Sequence, residues 1–204
     1  MVAITPISSR DRTPAGDDRL IDAALRCVAR WGVAKTTLDD VARDAGVSRA
    51  TVYRAFPGGR EALVQAVVAS EVSRFFDALL AHLDAADSLE DAIVTGITFA
   101  GRAIRDHDAL QYLLAHEPEL ILPALAFSRM DALLRLASTT VAPSLARFLP
   151  DTDEATRVAE WVTRIAISYT ISPAAGVDTA DEVSVRRLVR TFVLPGLVPA
   201  TADL

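Results

Sequence analysis

The chain has 204 residues, 51% of them apolar, a net charge of −6, three histidines and a single cysteine. That length can bury a sizeable core in one domain or two closely packed ones. One cysteine excludes an intramolecular disulfide framework, and no run approaches the roughly eighteen uninterrupted apolar residues of a membrane-spanning helix. No charged start followed by an apolar stretch marks a signal peptide, so a soluble, cytoplasmic protein is expected.

Residues 1–17 mix Pro6, Pro14, Gly16, serines and charges without a sustained apolar period, the pattern of a mobile arm whose only cations are Arg10 and Arg12. Residues 18–31 follow as a helix with Leu20, Ile21, Ala24, Leu25, Val28 and Trp31 on its inward side, stopped by Gly32. Cys27 lies within that apolar set and is expected to be a buried small hydrophobe.

The stretch TTLDDVARDAGVSRATVYRAFPGGREAL, residues 36–63, holds two short helical patterns. Leu38, Val41, Ala42 and Ala45 form one stripe at i, i+3, i+4 and i+7. Thr37 is its natural N-cap, and Asp40 completes a capping box. Gly46 allows a positive φ and ends the helix. Ser48 caps the second helix, in which Val52 and Phe56 face inward and Arg49, Ala50, Thr51 and Tyr53 face outward. Two helices joined by a short Gly-containing turn make either a plain αα-hairpin or a helix-turn-helix, whose second helix fits the DNA major groove. In the latter case Arg49 and Thr51 reach base edges, while Tyr53 and Thr37 offer hydroxyls to phosphate.

Over residues 19–67, an apolar first helix ending in Trp31-Gly32, then TTLDDVARDAGVSRATVYRAF, then Glu61-Ala62-Leu63, the sequence resembles the N-terminal domain of the tetracycline-repressor (TetR) family. The resemblance implies DNA contacts by Thr37, Ser48, Arg49, Thr51, Tyr53 and Arg60, with Arg60 where the family usually has a phosphate-binding lysine. Pro57-Gly58-Gly59 is looser than the family's usual polar turn at that point.

Charge divides the chain in the same place. Residues 1–60 carry ten Arg or Lys against seven Asp or Glu, net +3; residues 61–204 carry eleven against twenty, net −9. A basic reader attached to an acidic body is the expected organisation, with an arm at 1–17, a DNA-binding domain at 18–63 and an effector-binding and dimerisation domain at 64–204.

The body continues in helices. Val64, Val68, Val72, Phe75, Leu79 and Leu83 predict one long helix over 60–83, able to run from reader into body. Residues 88–106 open with a Ser-x-x-Asp box, 108–116 form a short leucine-rich helix, and Pro123 splits 117–141 into two pieces. Residues 153–172 form a helix ended by Pro173. Thr179-x-x-Glu182 is read as the cap of a last helix, with Val185, Leu188, Val189 and Phe192 on one face and Pro195-Gly196 as its stop. No strand-like alternation occurs, and the chain reads as all-α.

Three uses of such a body are open: ligand sensing with dimerisation, a ligand-free scaffold, or an enzyme. His82, His107 and His116 fit no metal motif, no phosphate loop, nucleophile elbow or Cys-x-x-Cys occurs, and no cofactor, metal or catalytic residue is expected. The resemblance implies a ligand-responsive regulator, most often a repressor, that binds a palindromic double-stranded DNA operator as a homodimer. The apolar excess suggests a small, largely apolar effector of lipid or acyl type, with Phe99, Leu113, Phe127, Met130, Leu134 and Trp161 as pocket walls. A dense core is the plain alternative for those side chains. Val162, Ile165, Tyr169, Leu188, Val189 and Phe192 are the expected dimer contacts, on helices 153–172 and 183–194.

Overall fold

The protein is described as a computed structural model covering residues 15–121, 127–172 and 174–197. The arm with Arg10 and Arg12, the helix breakers Pro123 and Pro173, and the side chain of Phe127 lie outside what it describes. No strand occurs among the described residues, and none of their helices is long and apolar enough to cross a membrane.

In chain order the helices are α1 (Ala15–Trp31), α2 (Leu38–Ala45), α3 (Arg49–Ala55), α4 (Gly59–Asp84), α5 (Leu89–Arg105), α6 (Asp108–His116), α7 (Pro118–Ile121), α8 (Phe127–Leu145), α9 (Thr152–Ile171), α10 (Glu182–Leu188) and α11 (Leu194–Leu197). The chain forms two compact units, one from residues 1–75 and 107–129, the other from 76–106 and 130–204. The division differs from a cut after residue 63: α6 and α7 belong with the reader, and α4 gives its first part to one unit and its second to the other.

In the first unit the apolar stripes of α1, α2 and α3 close a small core from Leu20, Ile21, Ala24, Cys27, Leu38, Val41, Ala42, Val52 and Phe56, with Leu63 of α4 beneath. Ion pairs fasten the outside. Arg26 holds Asp44 at 2.7 Å, joining α1 to α2. Arg74 of α4 reaches Asp22 of α1 at 2.7 Å and Glu71 at 3.1 Å. Glu71 also meets His107 Nε2 at 2.9 Å. His107 in turn caps α6, its Nδ1 accepting the Leu110 N–H at 3.2 Å.

In the second unit α5 buries Ala92, Ile93, Val94, Ile97 and Gly101. Gly101 is required by close approach, since a Cβ there would lie 2.4 Å from the Thr179 carbonyl oxygen. Arg147 closes the C-terminal end of α4 by donating to the carbonyls of Leu83, Asp84 and Ala86 at 2.7, 3.0 and 2.7 Å. Arg186 links α10 to Glu90 and Asp91 of α5 at 2.9 and 2.8 Å.

The last helical stretch departs from its sequence reading in three ways. Asp181 is the N-cap of α10, accepting the Ser184 N–H at 2.8 Å, whereas Thr179 is buried against α5. Residues Val189–Val193 form a π-helical turn, whose extra residue rotates Phe192 outward to 67% exposure and seats Val193 in the core. Pro195-Gly196 does not stop the chain, which continues helically to Leu197.

Candidate nucleic-acid interface

The reader's geometry starts from two caps. Thr37 Oγ1 accepts the Asp40 N–H at 3.2 Å, and Asp40 Oδ2 accepts the Thr37 N–H at 3.2 Å, the reciprocal arrangement that starts α2. The Thr37 hydroxyl also donates to Asp40 Oδ2 at 2.6 Å, which, with the Arg43 guanidinium, holds the Asp40 carboxyl below its usual range. Gly46 then takes the left-handed conformation at φ 65° and ends α2. Ser48 Oγ accepts the Thr51 N–H at 3.1 Å and starts α3.

Val52 is fully buried, so at about 100° per residue Ala50 and Arg54 point most directly away from the core, with Arg49 and Tyr53 on one flank and Thr51 on the other. Tyr53 is 54% exposed. The structure thus places Arg49 and Tyr53 together on one flank of α3 and Thr51 on the opposite flank, with Ala50 and Arg54 between them. Ser48 is consumed locally, its hydroxyl also lying 2.9 Å from Thr51 Oγ1. Arg60, at the start of α4, donates from Nη1 to the Ala34 carbonyl at 2.9 Å and so ties down the α1–α2 loop.

Charge on this face is organised by pairing. The three carboxylates of α2 each meet an arginine: Asp39 with Arg49 at 3.0 Å, Asp40 with Arg43 at 3.1 Å, and Asp44 with Arg26 at 2.7 Å. Lys35, Arg54 and Arg60 have no carboxylate ion pair among the described residues, so unneutralised positive charge sits on the loop, the outer face of α3 and the start of α4, as it does at Arg19 and Arg30 of α1. Lys35 and Arg54 were missed by the sequence reading. Arg54 was legible as the residue two on from buried Val52, hence opposite it.

Another missed residue lies far along the chain. Glu117, the C-cap of α6, accepts the N–H groups of Val33 and Ala34 at 3.0 and 3.4 Å. Gly32 makes room for it: φ is +81°, and a Cβ would fall 2.2 Å from Glu117 Oε1. Thr36, buried, closes the same loop by donating to the Gly32 carbonyl at 2.7 Å. The loop carrying Lys35 and Thr37 is therefore held from α6 by Glu117 and from α4 by Arg60.

The other expected sites are distributed differently. Leu134 is buried, Phe99 and Met130 are half-buried, and all three belong to the second unit, whereas Leu113 belongs to the first. Trp161, expected as a pocket wall, is 39% exposed on α9. Val162, Ile165 and Tyr169 are half-buried. Leu188 and Val189, expected as dimer contacts, are buried within their own protomer. The exposed apolar side chains of α9 and the last helical stretch are Trp161, Ile171, Val183 and Phe192.

Two capped short helices around a left-handed glycine, a basic outer face on the second and a third helix closing the core define a helix-turn-helix DNA-binding domain. Residues 20–67 match the family described as bacterial regulatory proteins, tetR family. The HTH-type transcriptional regulator Rv1255c of Mycobacterium tuberculosis is 35% identical over 196 residues, covering 95% of this chain and 91% of that protein. Among solved structures, the TetR family repressor AlkX from Dietzia sp., implicated in biodegradation of n-alkanes, superposes with a TM-score of 0.64 at 24% identity, covering 88% of this chain and 96% of that one. The regulator FadR from Bacillus subtilis, solved in complex with stearoyl-CoA, gives 0.55 at 14% identity, covering 86% and 98%. The chain belongs to the TetR family and is a DNA-binding transcriptional regulator, as its relatives are.

Proposed function

We propose that the protein is a repressor that binds a palindromic operator as a homodimer and whose DNA affinity is set by a small, largely apolar effector. The observation that carries the DNA side is the outward part of α3, where Arg49 and Tyr53 on one flank, Thr51 on the other and Arg54 between them project from a doubly capped scaffold. Arg49 and Thr51 read bases; Tyr53, Thr37 and Arg60 position the backbone, joined by Lys35 and Arg54 as further cations.

Dimerisation is supported by large apolar side chains left in water on α9 and the last helical stretch, Phe192 at 67% and Val183 at 78% exposure. A twofold axis through them would present two α3 helices to half-sites about 34–36 Å apart. For the effector, the FadR likeness to a stearoyl-CoA complex supports an acyl compound, and Phe99, Met130 and Leu134 of the second unit are the walls we assign to it. A ligand changes DNA affinity only by binding the two DNA-binding states unequally; a coupling of about 3 kcal/mol gives roughly 150-fold.

Selection of duplexes from a random-sequence pool by the full-length protein tests the first part, with an inverted repeat expected and an asymmetric single half-site overturning the dimeric reading. Titrating stearoyl-CoA, free fatty acids and lipophilic cations into that complex tests the second. Release by the acyl compounds, blunted in Met130→Trp, is the expected result. Release by cations alone overturns the acyl assignment, and no response to any class returns the body to a ligand-free scaffold.

A further inference from the structure

Of the three arginine–carboxylate pairs on α2, two bind the reader to itself: Arg26–Asp44 joins α1 to α2, and Arg43–Asp40 lies within α2. The third crosses the helix-turn-helix. Arg49, first residue of α3, places Nη1 3.0 Å from Asp39 Oδ2 in the first turn of α2, while its side chain remains 70% exposed. The other oxygen of Asp39, Oδ1, is buried and has no hydrogen-bond partner among the described residues. A buried carboxylate oxygen without a donor opposes folding, and an exposed ion pair contributes little in return. The helix dipole accounts for an acidic residue in the first turn of α2, but not for its pairing with Arg49 across the turn.

Its consequence falls on Arg49. With Nη1 ion-paired to Asp39, the Nε and Nη2 groups, which form one edge of the guanidinium, donate no hydrogen bond among the described residues. Two parallel N–H donors in a plane are the complement of guanine O6 and N7. The neighbouring carboxylate also cancels most of the arginine's charge, so Arg49 gains little by lying against a phosphate, where attraction depends on net charge and counterion release. Pairing therefore turns a side chain suited to either backbone or base toward the base.

We propose that Asp39 is a positioning residue for sequence specificity: by holding Arg49 it commits the protein to guanine at the base pair Arg49 reads. This rests on the reading of Arg49 as a base contact, and the test separates the two. Full-length wild type, Asp39→Asn, Arg49→Ala and the double variant are each taken through selection from random duplexes, and their affinity for a random duplex is followed against salt. Asparagine keeps the shape of Asp39 and loses its charge; far-UV circular dichroism and Tm check the fold.

Wild type is expected to require guanine at one position of each half-site. Asp39→Asn should lower that preference about tenfold. It should also bind random duplex more tightly, the slope of log affinity against log salt steepening by about 0.9 per subunit as Arg49 becomes a free cation. A merely structural role for Asp39 would weaken both kinds of binding instead. Arg49→Ala should abolish the preference, and adding Asp39→Asn to it should change nothing. An unaltered preference and slope in Asp39→Asn would overturn the proposal, as would an equal loss in the Arg49→Ala background. Full sequence preference retained by Arg49→Ala would overturn the base-contact reading itself.

Discussion

Glu117 holds the α1–α2 loop from α6, far along the chain, as Arg60 does from α4, and replacing it by alanine isolates the Glu117 part of that hold. Its carboxylate accepts a good hydrogen bond from the Val33 N–H at 3.0 Å and a marginal one from Ala34 at 3.4 Å. A hydrogen bond to a charged group contributes about 1.5–3 kcal/mol; the longer contact adds little, and water can reach the freed N–H groups of this half-exposed site. Glu117→Ala should therefore destabilise the first unit by about 2 kcal/mol, roughly thirtyfold in its unfolding equilibrium. Glu117→Gln, which keeps one acceptor without the charge, should cost about half as much. The two tryptophans make the measurement specific, because Trp31 packs on the reader's core and Trp161 belongs to the second unit. In a Trp161→Phe background, urea unfolding followed by fluorescence reports the first unit alone. The variants should shift the midpoint without changing the slope, and operator affinity should fall with them because Lys35 and Thr37 ride on the same loop. A shift worth less than about 0.5 kcal/mol for Glu117→Ala would refute the argument that this carboxylate holds the loop.

On the last helical stretch, Phe192→Asp should leave a folded monomer by sedimentation, whereas Val189→Asp, placing a charge in the protomer's own core, should lower Tm sharply; the reverse pattern would contradict the π-turn register. Burial pushes the Cys27 thiol above its ordinary value, so alkylation by iodoacetamide at about pH 8 should be far slower in folded protein than in urea, and equal rates would contradict its burial. The Arg186 guanidinium and then the Ser88 hydroxyl hold the Asp91 carboxyl below its ordinary 3.8. A depressed folded value stabilises above the unfolded one and is lost as pH falls through the folded one. Arg186→Ala should accordingly weaken the protein at neutral pH and flatten its loss of stability below about pH 4; a parallel pH profile would remove Asp91 from the cause of acid unfolding.

What the sequence made legible is what neighbouring residues decide among themselves. Thr37 with Asp40 and Ser48 with Thr51 satisfy helix ends three residues away, and Gly46 supplies a positive φ at its own position, so the reader's two short helices are legible in the sequence. The error at Thr179 has the same local origin. Thr179-x-x-Glu182 and Asp181-x-x-Ser184 are competing capping patterns, and the contest is settled non-locally: α5 has a glycine at 101, the Thr179 backbone packs there, and Asp181 is left to cap α10. Phe192 was misplaced because the apolar stripe assumes an unbroken α period, and a single π turn changes which residue faces inward without changing any residue type.

Residues separated by long stretches of chain carry no such mark. Nothing in the sequence around Glu117 names Val33 as its partner; the link is visible only through Gly32, whose missing Cβ makes the space, and a glycine after an amphipathic helix is already accounted for as a helix stop. One residue thus answers two demands, and sequence reasoning stops at the first. The same holds for Asp39. As an acidic residue in the first turn of α2 it complements the helix dipole, a sufficient local reason that hides its position beside Arg49 across the turn. Residues with one adequate local explanation are therefore where non-local function is most easily overlooked, and in this reader both such residues bear on how the DNA-facing loop and helix are held.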